Sequence, residues 1–288
     1  MQKLYTQYKG LLFNLAYQLT GSTSDAEDAV HDVFLKLYNV EPKRLVRPKA
    51  YLCKMVTNRC LDILKSARKK REQYFGYWLP EPVLTQHDTT LESIVRGELL
   101  SYALLVMLEK LSPSQRAVFV LREALGCEYS FIAEVIGKSE LNCRKMVSRA
   151  RNKMGITHND LIRAEVASEE WVRRFILALQ QGHVDTVVSL LAEDIILISD
   201  GGGKVPAAIH PIESHERIVQ FLFGLIRQAP HFEGGVHIEI KNINGQHGCV
   251  LRSSKGIVAV ALTQFKNNSI HKLYFIRNPD KLSLPRLW

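Results

Sequence analysis

Hydrophobic positions recur at helical spacing through the first half of the chain and at strand spacing near its end. Leu4, Tyr8, Leu11, Leu12, Leu15 and Leu19 form one stripe, closed by Gly21. Ser24-Asp25-Ala26-Glu27 is a capping box, and the helix it opens turns Ala26, Val30, Val33, Phe34 and Leu37 inward. From about Pro48 to Glu72 a long helix carries Leu52, Met55, Val56, Cys60, Ile63 and Leu64 on its core side. Residues 89–110 predict another amphipathic helix. Ser112-Pro113-Ser114-Gln115 is a second capping box, with Pro113 at the first helical position. Ala117, Val118, Val120, Leu121 and Leu125 follow it as far as Gly126. A short helix at Phe131–Ile136 stops at Gly137, and another starts at Ser139 and runs to about Met154.

After Gly155 the pattern changes. A polar connector, Thr157–Asp160, leads to helices at Ser168–Gln180 and Val184–Leu191 and a β-rich run at Ile195–Ser199. Ile212–Arg227 is again helical. Val236–Ile243, Cys249–Leu251, Ile257–Phe265 and Ile270–Arg277 then read as successive antiparallel strands. Helices first and a curved sheet afterwards predict an α+β unit behind two all-α units.

Charge sharpens the division. The net +9 is concentrated in residues 1–155, which hold 24 basic and 16 acidic side chains, against 14 and 13 in residues 156–288. Glu41–Arg71 alone has eleven basic residues and two acids. A polyanion partner for the first half follows, and none for the second. The 46% hydrophobic content suits a globular protein, and no apolar run reaches transmembrane length or forms a signal peptide. Five cysteines without metal-like spacing (53, 60, 127, 143 and 249) read as reduced, mostly buried thiols of a cytoplasmic protein. No cofactor or metal is called for.

The two short helices around Gly137-Lys138-Ser139 have the form of a helix-turn-helix. In the second of them Leu141, Val147, Ala150 and Met154 are assigned to the core. Ser139, Asn142, Arg144, Lys145, Ser148 and Arg149 are left for phosphates and base edges of a major groove. On the loop and long helix before it, Lys43, Arg44, Arg47, Tyr51, Lys54, Asn58, Arg59 and Lys65 combine backbone-holding cations with an aromatic ring. That combination suits unpaired or opening DNA. The acidic face with Asp25, Asp28 and Asp32 would repel phosphate and is assigned to a protein partner. Trp78-Leu79-Pro80-Glu81-Pro82 is a stiff extended segment whose side chains dock onto something. Asp200-Gly201-Gly202-Gly203-Lys204 lacks both phosphate-loop signatures, so it reads as a tight turn with Asp200 and Lys204 free for contacts between domains.

Together these residues resemble the extracytoplasmic-function sigma factors of bacterial RNA polymerase. Asp25 to Leu35 is similar to the helix by which that family grips the polymerase, which implies core-binding roles for Asp25, Asp28, Asp32 and Leu35. His31 departs from the Gln or Glu usual at its position. Arg47–Leu52 and Thr57–Asp62 resemble the −10 recognition and melting helix, and Leu111–Met154 resembles the −35 reader. The rest is similar to a subgroup with a fused SnoaL-like cone domain, marked by Trp78–Pro82, Asp200–Lys204 and Asn278-Pro279-Asp280-Lys281-Leu282. The resemblance implies a domain layout of 1–72 (sigma domain 2), 73–110 (linker and leading helix), 111–155 (sigma domain 4), 156–167 (connector) and 168–288 (SnoaL-like). It also implies core RNA polymerase and promoter DNA, duplex at −35 and melted at −10, as partners, with the three motifs as regulatory contacts. Two alternatives stay open. The last domain could be a small-molecule sensor or a residual enzyme using Asp194, Asp200, His210, His237 or Tyr274, or the chain could be a helix-turn-helix regulator.

Overall fold

The computed structural model describes residues 2–38, 46–85, 100–157 and 165–282. Lys43, Arg44, the first half of the helix expected at 89–110 and most of the connector after Thr157 lie outside them.

The first half is helical. Helices α1 (Gln2–Thr20), α2 (Thr23–Tyr38) and α3 (Pro48–Glu72) pack as a three-helix unit. Helix α4 (Tyr102–Leu108) precedes α5 (Pro113–Phe119), which carries the full capping box between Ser112 and Gln115. The helical run from Pro113 does not stay α-helical to Gly126. Val120–Ala124 forms a π-helical turn, with Leu125 N–H reaching back to Val120 O. Helices α6 (Tyr129–Ile136) and α7 (Glu140–Met154) complete the unit. Between them Gly137 takes the left-handed conformation that ends α6, and the Ser139 hydroxyl caps α7.

The second half places α8 (Glu169–Gln180) and α9 (Val184–Leu190) before β1 (Leu191–Asp200), then α10 (His215–Gln228). Four strands follow: β2 (His237–Ile243), β3 (Gln246–Ser253), β4 (Gly256–Lys266) and β5 (Ser269–Ile276). Their order is β1-β5-β4-β3-β2. The last four pair antiparallel as expected, but β1 runs parallel to β5, with Ile198 opposite Tyr274 and Asp200 opposite Ile276.

Both faces of this sheet are covered, because strand side chains alternate and here both sets are apolar. Leu197, Ile270 and Leu273 join Phe175, Leu190, Ile218 and Leu222 in a core under α8 to α10. Their neighbours Ile198, Val250, Val260, Leu262, Tyr274 and Ile276 enter a different core, shared with Leu12, Leu19, Leu79, Val83, Tyr102 and Val118 of the helical half. The two halves therefore have no separate hydrophobic interiors where they meet. Among the described residues no helix is long and apolar enough to cross a membrane, and no group of three acidic, His or Cys side chains could hold a metal ion.

Candidate nucleic-acid interface and linker clamp

Helix α7 exposes a basic side. Cys143, Val147, Ala150 and Met154 are buried at steps of four, three and four, so Asn142, Lys145, Ser148 and Arg149 face solvent with Ser139 at the helix start. Leu141, expected in the core, is 62% exposed and Cys143 fills that place. A free thiol packs as a small hydrophobe, and only position 143 lies on the same stripe as 147 and 150. Arg144 is exposed and tethered: its guanidinium stacks 4.2 Å over the Tyr129 ring and pairs with Glu140.

Helix α3 shows a second exposed row. Tyr51, Lys54, Asn58 and Lys65 recur at helical spacing on one side. Arg59 instead bonds Asp32 of α2 at 2.7 Å, and Arg47 bonds Glu134 of α6 at 2.6 Å. On α2, Asp28 and Leu35 are exposed, and Asp25 and Asp32 are partly buried. The −10 and −35 candidates thus sit on two helical units that touch each other, α3 against α5 and α6. Buried Arg116 of α5 reinforces that packing, with its Nε on the Gln18 carbonyl of α1 and its Nη1 on Glu109.

The linker does not run free. Asp200, fully buried at the end of β1, accepts four hydrogen bonds, two of them from the linker. Its Oδ1 accepts Tyr74 Oη (2.6 Å) and Gly202 N–H (3.0 Å), and its Oδ2 accepts Leu79 N–H (2.9 Å) and Lys281 Nζ (2.7 Å). Lys281 also donates to the Leu79 carbonyl at 2.6 Å and lies 4.1 Å from the Trp78 ring centroid. Asn278 donates to Tyr74 Oη, whose phenol is pushed up by burial and by the Asp200 carboxylate. The triple glycine brings the chain close to these groups: a Cβ on Gly202 would stand 2.3 Å from the Asn278 amide. Lys204, expected to contact another domain, pairs with Asp280 on its own side. Pro279 to Lys281 form a short 3₁₀ turn capped by Asn278, and Leu282 is buried behind it.

A second attachment lies at the β2–β3 turn. Asn244 exchanges bonds with Val83, its N–H donating to the Val83 carbonyl and its Oδ1 accepting the Val83 N–H, while its Nδ2 donates to Tyr17 Oη at 2.7 Å. Tyr17 in turn donates to the Glu81 carbonyl. The Glu81 carboxylate accepts Thr23 N–H at 2.8 Å, so the linker caps the start of α2. Pro80 offers its carbonyl to buried Tyr102, Pro82 is buried, and Trp78 rests on Gly21, where a Cβ would come within 2.7 Å of the indole.

Sequence reasoning missed Tyr17, Tyr102 and Asn244, and it grouped Tyr74 with rings for unpaired bases, whereas its hydroxyl bonds Asp200 and Asn278. The signal for Asn244 was the Asn-Gly pair between two strands, a hairpin turn whose Asn takes a positive φ of 52°. The tyrosines carried none, since a buried phenol and a merely packed ring look alike in sequence. Asp194, His210 and His237 line neither cavity beneath the sheet, Asp200 is taken up by the linker, and Tyr274 meets Tyr102 edge-to-face with ring centroids 5.4 Å apart.

The two helical units place the chain in the sigma-70 class. Residues 4–70 match the model of Sigma-70 region 2, and residues 101–154 match that of Sigma-70, region 4. The chain is 35% identical over 284 residues to the ECF RNA polymerase sigma factor SigJ of Mycobacterium tuberculosis, covering 94% of this chain and 90% of that one. It is 31% identical to the probable ECF RNA polymerase sigma factor SigI of the same species, over 64% of each chain. The crystal structure of the M. tuberculosis SigJ factor superposes with a TM-score of 0.79 at 30% identity, covering the whole of both chains. The chain belongs to the extracytoplasmic-function RNA polymerase sigma factor family, with an α+β SnoaL-like domain fused behind regions 2 and 4.

Proposed function

We propose that this sigma factor rests in a closed state that its own C-terminal domain maintains by clamping the linker, and that promoter engagement requires the clamp to open. In this reading Asp25, Asp28, Asp32 and Leu35 dock on core polymerase. Arg47, Tyr51, Lys54, Asn58, Arg59 and Lys65 hold the melted −10 strand, and the exposed side of α7 enters the −35 groove. The motifs at 78–82, 200–204 and 278–282 regulate, and the chain performs no catalysis of its own.

The observation that carries the reading is the path of residues 74–85 between the two halves. Elements at −35 and −10 lie about 25 base pairs apart, roughly 85 Å along B-DNA. Clamped at Thr85, region 4 can be carried away only by the chain between Thr85 and Leu100, about 50 Å at full extension. Released from Glu72 onward, the same span reaches about 95 Å. Arg47 and Arg59 also spend their charges on Glu134 and Asp32 in the closed state.

Run-off transcription with core polymerase on a promoter from the chain's own upstream DNA tests this. Deleting the C-terminal domain would strip the shared core from Leu79, Val83 and Tyr102, so point substitutions at the clamp are cleaner. Asp200→Asn should raise promoter-specific transcript over the parent chain while core binding persists. Transcript from neither, with duplex DNA still bound, would instead support a helix-turn-helix regulator.

A further inference from the structure

The sheet face turned away from the sigma regions is incompletely filled. One cavity of about 70 Å³ is bordered by Trp171, Phe175, Leu222 and Ala261. Another, of about 110 Å³, is bordered by Phe232, Val258 and Arg277 among others. Leu225, Ile226, Ile238, Leu251 and Phe275 border both, so only side chains part the two spaces. The first cavity is walled almost wholly by apolar groups, and the second, mostly apolar, has Gln180, Gln228 and the cation Arg277 in its wall.

Arg277 is partly buried, and its Nη1 donates to the Pro206 carbonyl at 2.6 Å. Among the described residues no carboxylate lies at ion-pair distance from it. Loss of water without a compensating anion lowers the guanidinium pKa. A cation in that position gains from an anion able to accept two parallel N–H bonds. An apolar cavity of ~150 Å³ is enough to hold benzene, which sets the size of the remainder of the ligand.

We propose that the two spaces, joined when the side chains between them shift, bind an apolar monocarboxylate of about six to ten carbons, its carboxylate on Arg277 and its hydrocarbon body along α10 toward Trp171. The Arg277 amide donates to the Asp200 carbonyl at 2.7 Å, so the ligand head lies one residue from the linker clamp. The site stands on the cavities and Arg277 and does not rest on the clamp's effect on transcription.

The test is calorimetric titration of the full-length chain with octanoate, decanoate and 2-naphthoate. Methyl octanoate and methyl 2-naphthoate serve as uncharged counterparts. Arg277→Gln and Ala261→Leu, the latter adding volume inside the space, are measured alongside after their fold is checked by circular dichroism. At least one acid should bind saturably at 1:1, at least tenfold tighter than its ester and than to Arg277→Gln, and more weakly to Ala261→Leu. Preference for the alkyl acids or for the naphthoate identifies the source of the body. No saturable binding of any acid at millimolar concentration overturns the proposal, as does equal affinity for acid and ester. If Arg277→Gln does not fold, the acid-to-ester ratio on the parent chain decides alone.

Discussion

The two faces of the β-sheet are made of alternating residues from the same strands, yet they are closed in different ways. Toward the sigma regions, Ile198, Val260, Tyr274 and Ile276 pack against helices and linker, and the seam is completed by Asp200, Lys281, Asn244 and Tyr17, all buried and hydrogen-bonded. Toward α8 and α10, the partners of Leu197, Leu273 and Phe275 are almost entirely apolar, and space is left over. Buried polar groups tolerate only one arrangement, because each unpaired donor or acceptor is costly, whereas apolar contacts tolerate gaps. One face thus specifies a docking geometry, and the other encloses a volume.

Breaking the polar face should have the largest effect. Asp200→Asn leaves the Lys281 ammonium, 7% exposed, without its anion, and should cost about 3–5 kcal/mol in urea unfolding. Amides of residues 74–85 should also exchange faster with solvent in that variant, and unchanged exchange would show that other contacts hold the linker. Gly21→Ala comes next. It places a Cβ 2.7 Å from Trp78 at a φ of +70°, for a loss of about 2 kcal/mol read as a lowered Tm. Glu81→Gln keeps the shape and removes the charge at the start of α2, which should cost about 1 kcal/mol and less at high salt. Smallest is Ala261→Leu on the other face. Filling an existing space should leave stability within about 0.5 kcal/mol, and a loss above 2 kcal/mol would mean that no space is there.

Much of the helical half was legible because caps and glycines act locally. Ser112 with Gln115, Ser139 before α7 and Gly137 after α6 set those boundaries through hydrogen bonds between near neighbours. The placing of Leu141 in the core followed its hydrophobicity against its spacing: position 143, not 141, shares the stripe of Val147 and Ala150, and Cys143 is the buried residue. The roles of Asp200 and Lys204 were not separable from a five-residue motif, since their partners lie 81 and 76 positions away. Arg59 and Asp32 were assigned to different partners and meet each other, because α2 and α3 pack side by side.

By itself the sequence determined the periodicities: which segments coil, which extend, where charge gathers and which side of α7 is basic. These follow from backbone sterics and from neighbours within about four residues. Only the tertiary structure decided that β1 lies parallel to β5, that both sheet faces are buried, and that the linker is sewn to Asp200 and Asn244. Such contacts join residues scores of positions apart, and an alternating strand pattern records that a face is covered without recording by what.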